Sequence, residues 1–266
     1  MTDTPASMTY GGYLGLDRLL SAQHPISAHH DEMLFVIIHQ TKELWLKQIL
    51  HELELTLGLV RGDNLAAVDK SLSRVSRIQA VMTLTWDVLA TMTPADYSSF
   101  REVLGSSSGF QSAQFRYFEY LLGLKDGGHL RHQEEGSGEH AALLAALHRP
   151  SLWDEANAAL ARAGIPLPAT VLARDWSEPY TPSPEVEAAW AVVYRDTARW
   201  WPLYQLAEKL VDIDDAMATW RHKHVVTVER IIGMKMGTGG TPGVAYLQST
   251  IGKRAFPELW SLRTAI

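Results

Sequence analysis

The chain contains no cysteine. That absence removes disulfide frameworks, thiolate-bound zinc, cysteine-ligated iron–sulfur clusters, CxxCH attachment and cysteine nucleophiles. Histidine, present eleven times, is left as the leading candidate metal ligand. Basic charge is also short. Lys and Arg number 24 against 30 Asp and Glu, a formal net charge of -6. This argues against a nucleic-acid binder working through a broad basic face. Long apolar runs are missing too: the most conspicuous, Met33 to Ile38, is far too short to span a bilayer. Met1 to Gly12 lacks a basic segment followed by an apolar one, so no secretory signal is expected. A soluble, cytoplasmic protein with no membrane or nucleic-acid partner is the expectation.

What is present is helical periodicity. The 266 residues are 46% hydrophobic and 20% charged, enough to bury a sizeable core in one large domain or two small ones. From Asp31 to Val60, Leu34, Ile37, Ile38, Trp45, Ile49, Leu53 and Leu57 recur at spacings of three and four. Ser27 is the expected cap of this helix, with Glu43 and Lys47 paired on its wet side. A second helix is expected over Leu65 to Met92, with Ile78, Val81, Trp86 and Leu89 inward. Thr93-Pro94-Ala95-Asp96 reads as an N-cap, a proline at N1 and an acid at N3, with Gly105 as the stop. Further helices are expected over Gln111 to Leu124, within Ala141 to Ala163, over Glu185 to Val211, over Asp212 to Met236 and near Val244 to Ile251. Residues 125–140 read as a mobile surface loop, and the prolines between 166 and 184 as an irregular crossing. No alternating strand pattern or internal repeat is visible, so the fold class is all-α, a helical bundle. The nine tryptophans are most simply core and interface packing.

Several side chains could carry chemistry. Phe35 and His39 are four apart and share an inward face. An isolated inward histidine is more often a core group bonded to a carbonyl than a pocket residue, and periodicity alone does not decide. Tyr97 and Arg101 are likewise four apart, and a guanidinium on a partly aromatic face suits a carboxylate, although a surface ion pair is the plainer reading. His222 and His224, two apart on a helix, are separated by about 200° around its axis and cannot serve one metal. Val225, Val228 and Ile232 make His224 the more buried of the two. The loop from Gly237 to Gly243 fails the phosphate-loop checks, since Pro242 stands at the sixth position and no strand precedes it. It remains either a connector or a lid whose amides and Thr238 hydroxyl hold a polar group. HExxH, paired ExxH and GxSxG motifs are all missing.

Taken in order, the motifs resemble those of the tryptophan 2,3-dioxygenase family, of the indoleamine/tryptophan dioxygenase type. They are Tyr10-Gly11-Gly12-Tyr13-Leu14, His29-His30-Asp31-Glu32-Met33-Leu34-Phe35, His39-Gln40-Thr41 and Glu43-Leu44-Trp45-Leu46-Lys47. Phe100 to Gly105, Ser107 to Ser112, Ala173-Arg174-Asp175-Trp176, Trp220-Arg221 with His224, Gly237 to Gly240 and Phe256-Pro257-Glu258-Leu259 follow. The match spans nearly the whole chain and is weakest from Lys125 to Leu172.

The resemblance implies one helical domain over 1–266, assembled as a homotetramer (a dimer of dimers) and holding non-covalent haem b. It implies His224 as the axial iron ligand, with Arg116, Trp86, Ser108 and Gly109 around the cofactor. It implies L-tryptophan and O2 as substrates and N-formyl-L-kynurenine as product. His39 matches the distal histidine at the indole nitrogen, walled by Phe35 and flanked by Val36, Ile37 and Ile38. Arg101, with Tyr97 beside it, matches the carboxylate partner, and Thr238 matches a residue of the 237–243 lid. Tyr10, Tyr13 and Leu14 match an N-terminal segment, within 1–28, that reaches a neighbouring subunit's site. The chain departs from the pattern at Gly12, Ser106 and Thr241-Pro242, and Met234 and Met236 are untypical. The rival expectations are a relative that inserts one oxygen atom or takes a substituted tryptophan, a haem sensor, and a purely structural bundle.

Overall fold

The computed structural model describes residues 8–240 and 242–266, and Thr241 of the expected lid lies outside them. Thirteen α-helices and five short 3-10 turns occur among the described residues, and no strand. The N-terminal pair α1 (Tyr10–Leu14) and α2 (Leu16–Leu20) bends at Gly15, whose φ of 62° a side-chain-bearing residue would resist. The frame consists of α3 (His30–Arg61), α4 (Val68–Leu89), α5 (Pro94–Phe100) and α6 (Ala113–Leu122). Next come α7 (Gly138–Leu147), α8 (Leu152–Arg162), α9 (Ala169–Leu172) and α10 (Pro184–Arg195). The long α11 (Trp201–Ile232) and the short α12 (Val244–Thr250) and α13 (Pro257–Ser261) complete it. No helix among the described residues is long and apolar enough to cross a membrane.

Three helices dominate the packing, with α4 lying between α3 and α11. The stripe Leu46, Ile49, Leu53, Leu57 and Val60 of α3 meets Val68, Leu72, Val75, Ile78 and Met82 of α4, all buried. The two helices run antiparallel, and near their junction the Thr56 and Ser71 hydroxyls share a buried 2.7 Å hydrogen bond. The α11 stripe Leu203, Leu206, Leu210, Ile213 and Met217 covers the other flank. Asp69 faces Lys209 and Asp87 faces Lys223, so α4 and α11 run parallel. Each fully buried leucine or isoleucine here contributes about 2 kcal/mol relative to exposure. The Thr93–Asp96 capping box forms as expected, and Gly105 ends the segment at φ 54°.

Several expectations need correction. Ser27 does not cap α3. His29 occupies the N-cap position without a side-chain bond, and the Ser27 hydroxyl and amide donate to Glu32 instead. Glu43 does not pair with Lys47 on a wet face, because its carboxylate accepts from Ser112 and Gln114. Val81 points outward at 42% exposure, with Ile78, Met82 and Trp86 taking the inward face. The second helix opens with a 3-10 turn and begins at Val68, and the fourth is trimmed to Ala113–Leu122.

The expected junction at 211–212 does not exist, since α11 runs through it and the break falls at Asp196–Trp200. Apolar spacing continues across that break. The signal that marks it is Pro202 in the first turn of α11. The segment 125–140 is not a loose loop either. It carries a 3-10 turn over Gly127–His132, buried His129, and buried Lys125, whose Nζ donates to the carbonyls of Leu147 and Arg149. Near the C-terminus a further helix, α13, was not expected.

Asp214, buried on α11, seats the C-terminal segment by accepting from the amides of Ala255 and Phe256 and from the Trp260 indole N–H. Asp214→Ala should cost about 3–5 kcal/mol, because it leaves these donors buried without an acceptor. Urea unfolding monitored by circular dichroism checks this, and an unchanged midpoint would contradict it.

Candidate active site

The ends of α3, α4 and α11, closed by α5, α6 and the loop residues Gly237, Thr238 and Gly243, enclose a cavity of about 280 Å3. On α3, His39 faces in one turn after Phe35, and the two rings lie 4.2 Å apart. Phe35 also packs on Phe100 and Tyr97, at 5.7 and 6.0 Å. On α4, Trp86 turns inward and stacks on His224 of α11, with centroids 4.3 Å apart and planes 12° from parallel. Trp220, one turn before His224, closes the same corner against Trp86 and Phe115. His222 is exposed, as its placement about 200° away requires.

Both inward histidines are neutral near pH 7. Burial, aided by the charge of Lys42, pushes His39 down to about 4. Burial pushes His224 down to about 3, with Lys42 and His39 adding to it. His39 Nδ1 lies 2.7 Å from the Phe35 carbonyl oxygen. An oxygen there can only accept, so Nδ1 carries the proton and Nε2 is left as an acceptor. The plain reading of an inward histidine bonded to a carbonyl therefore holds for one ring nitrogen, while the ring itself also lines the cavity.

The opposite end is polar. Arg101, the first residue of a 3-10 turn after α5, donates from Nη2 to the Met236 carbonyl. Thr238 donates to the Ser107 carbonyl at 2.5 Å. These two bonds dock the glycine-rich loop over the cavity. At Gly239 a Cβ would fall 2.6 Å from Ser108 Oγ, so the close approach needs glycine. Gly243 combines φ 59° with a Cβ position 2.6 Å from the Lys235 carbonyl oxygen. Tyr97 lines this end, its hydroxyl pKa raised by burial.

His39, Trp86, Tyr97, Arg101, Ser108, Gly109, Arg116, His224 and Thr238 thus share one cavity, and Phe35 packs behind His39. Val36, Ile37 and Ile38 are not brought to it: Ile38 joins a core cluster with Trp86, and Ile37 is 45% exposed. Tyr10, Tyr13 and Leu14 lie on α1, exposed and away from the lining.

Lys42, Glu119, Arg221 and Lys253 also line the cavity, and none of them is among the expected site residues, although Arg221 belongs to a matching motif. Arg116 and Arg221 both bond the Glu119 carboxylate, with two guanidinium groups to one acid. Lys42 had a usable signal, since it lies three residues after His39 on the same helix face. Its buried amine is pushed down to about 7 by desolvation.

The orphaned polar atoms test what the cavity suits. Lys42 Nζ, Trp86 Nε1, Arg116 Nε and Trp220 Nε1 are buried without hydrogen-bond partners, and all four belong to lining residues. All four are donors. A flat, mostly apolar occupant with acceptor or anionic groups at its edge fits this donor set, as does a neutral imidazole at its face.

Because His39 binds a proton above pH 4 only when unfolded, the unfolded chain holds more protons between about 4 and 6.5. The contribution of His39 to stability is therefore fully present above pH 6.5 and is lost as the pH drops toward 4. Relative to wild type, cofactor-free His39→Gln should lose about 1–2 kcal/mol less on going from pH 7 to pH 5. Urea unfolding at the two pH values reads the difference, and identical losses would contradict it.

Comparison with known proteins agrees with this geometry. The family model described as Tryptophan 2,3-dioxygenase matches residues 2–192 and 188–266. A tryptophan 2,3-dioxygenase of Caulobacter vibrioides is 64% identical over 259 residues, covering 97% of this chain and 98% of that protein. A protein of the same name from Bacillus cereus is 52% identical, covering 100% and 95%. One from Bordetella pertussis is 51% identical, covering 98% and 92%. With a cavity of the expected residues and similarity along its whole length, the chain belongs to the tryptophan 2,3-dioxygenase family.

Proposed function

We propose that this chain is a cytoplasmic, haem-dependent dioxygenase that opens the indole C2–C3 bond of L-tryptophan with O2. Both oxygen atoms enter the product, N-formyl-L-kynurenine, in the first step of tryptophan catabolism. The observation that carries this reading is the pairing, within one cavity, of neutral His39 and His224 with a polar end built by Arg101 and Thr238. The relatives' shared name, tryptophan 2,3-dioxygenase, supports it.

The residues fit haem b. His224, neutral and stacked on Trp86, offers an imidazole nitrogen to iron. Arg116, with its orphaned Nε, suits a carboxylate of the cofactor, and Ser108 and Gly109 border the same space. When bound, haem supplies the iron that activates dioxygen.

The remaining groups bind and orient. The Arg101 guanidinium exchanges its carbonyl partner, Met236, for the stronger charge-assisted bond to the substrate carboxylate. Thr238 holds the same zwitterionic end, and Tyr97 and Phe35 wall the indole. His39 Nε2 accepts from the indole N–H. With its pKa near 4, His39 stays a neutral imidazole at neutral pH, its Nε2 free of a proton, and it orients the substrate rather than delivering a second proton. The lid excludes water while the ring is held. A homotetramer accounts for exposed Tyr10, Tyr13 and Leu14, which would complete a neighbouring subunit's site.

The test is turnover of reduced, haem-loaded protein with tryptophan and 18O-labelled dioxygen. Two labelled atoms in N-formylkynurenine are expected. A single labelled atom would replace the reading with a monooxygenase, and absence of both product and tryptophan-induced spectral change would replace it with a haem sensor. His224→Ala should retain little haem and no activity. Arg101→Ala should load haem normally but lose about 2–5 kcal/mol of tryptophan affinity, read by spectral titration.

A further inference from the structure

Lys42 is a buried cation of the cavity whose amine is one of the four orphaned donors, and the proposed function gives it no specific role. It lies one turn beyond His39 on α3, is 6% exposed, and its Nζ has no hydrogen-bond partner. A buried ammonium normally faces a carboxylate or carbonyl, because desolvating it alone is expensive. None answers this one among the described residues. Glu43, its neighbour in sequence, is committed to Ser112 and Gln114, and Glu119 to Arg116 and Arg221.

What holds the amine is an aromatic face, since Nζ lies 3.0 Å from the Trp86 ring centroid. The same indole stacks on His224. Ammonium, indole and imidazole therefore form a contiguous series, and the charge of Lys42 acts on both cavity histidines.

We propose that Lys42 is a positioning residue for the redox balance of the iron site, a built-in cation that acts through Trp86 and His224 to favour the reduced state. The inference rests on the haem reading above. Reduction adds one electron to the iron, and a positive charge in a poorly solvated wall stabilises the added negative charge without making or breaking a bond. The reduced iron is the form that binds dioxygen, so this cation would hold the enzyme in its working state.

The test compares wild type, Lys42→Met and Lys42→Arg, each loaded with haem and free of tryptophan. They are titrated with dithionite at pH 6, on the acid side, where protonation of the amine is favoured. At the wild-type midpoint, Lys42→Met should show a reduced-to-oxidised ratio lower by about fivefold or more, while Lys42→Arg, which keeps the charge, stays near wild type. Equal midpoints in wild type and Lys42→Met would overturn the proposal, as would an arginine variant that falls as far as the methionine one.

Lys42→Gln provides a second neutral variant of similar length. If both neutral variants fail to retain haem, Lys42 serves cofactor retention and the redox role is overturned. A colourless wild type would overturn the haem reading and this inference together. A coloured wild type with an unshifted Lys42→Met overturns this inference alone.

Discussion

The packing of α4 between α3 and α11 is the constraint on which the site depends. Toward the C-terminal end of α3 the three helices α3, α4 and α11 share an aliphatic core of Leu53, Leu57, Leu72, Leu203 and Leu206. Toward the other end the same inward stripes change composition to His39, Lys42, Trp86, Trp220 and His224. One set of helix faces therefore builds the core and then opens into the cavity. The histidines are positioned by rigid elements whose registry the core fixes, which is how a site holds its geometry closely. Only the polar end is entrusted to loops, where Arg101 and Thr238 bond carbonyls that a substrate could displace.

Desolvation then sets the electrostatics. The walls that stack aromatic rings also withhold water from the imidazoles, so both are neutral, as the roles proposed for them, ligand and acceptor, require. The same dryness makes unpaired donors costly. Four of them nonetheless converge on the cavity, which is intelligible if the cavity is built around an occupant with acceptors of its own.

Much of the frame was legible in the sequence because it depends on local rules. Thr93, Pro94 and Asp96 write a capping box, and the three–four spacing of Ile49, Leu53 and Leu57 writes a buried stripe. The two-residue interval between His222 and His224 decides which of them can face inward. What failed depends on distant partners. Glu43 looks like half of an i,i+4 pair until Ser112 and Gln114 arrive from α6 and its cap. Lys125 reads as a loop residue until the carbonyls of Leu147, which ends α7, and Arg149 just beyond accept from its amine. Periodicity could not see the break before α11, because apolar positions continue on both sides of it. The assignment of haem and tryptophan came from the ordered family motifs. No spacing argument contained it, just as none singled out Lys42, whose interest lies in the partner it lacks.

The central claim is that His224 is the protein's nitrogen ligand to a haem iron in this cavity. Resonance Raman spectra of the reduced, haem-loaded protein address it directly through the iron–histidine stretching band. The account predicts a band in the wild type that disappears in His224→Gly and returns when imidazole is added. A band that persists unchanged in His224→Gly without imidazole would contradict it.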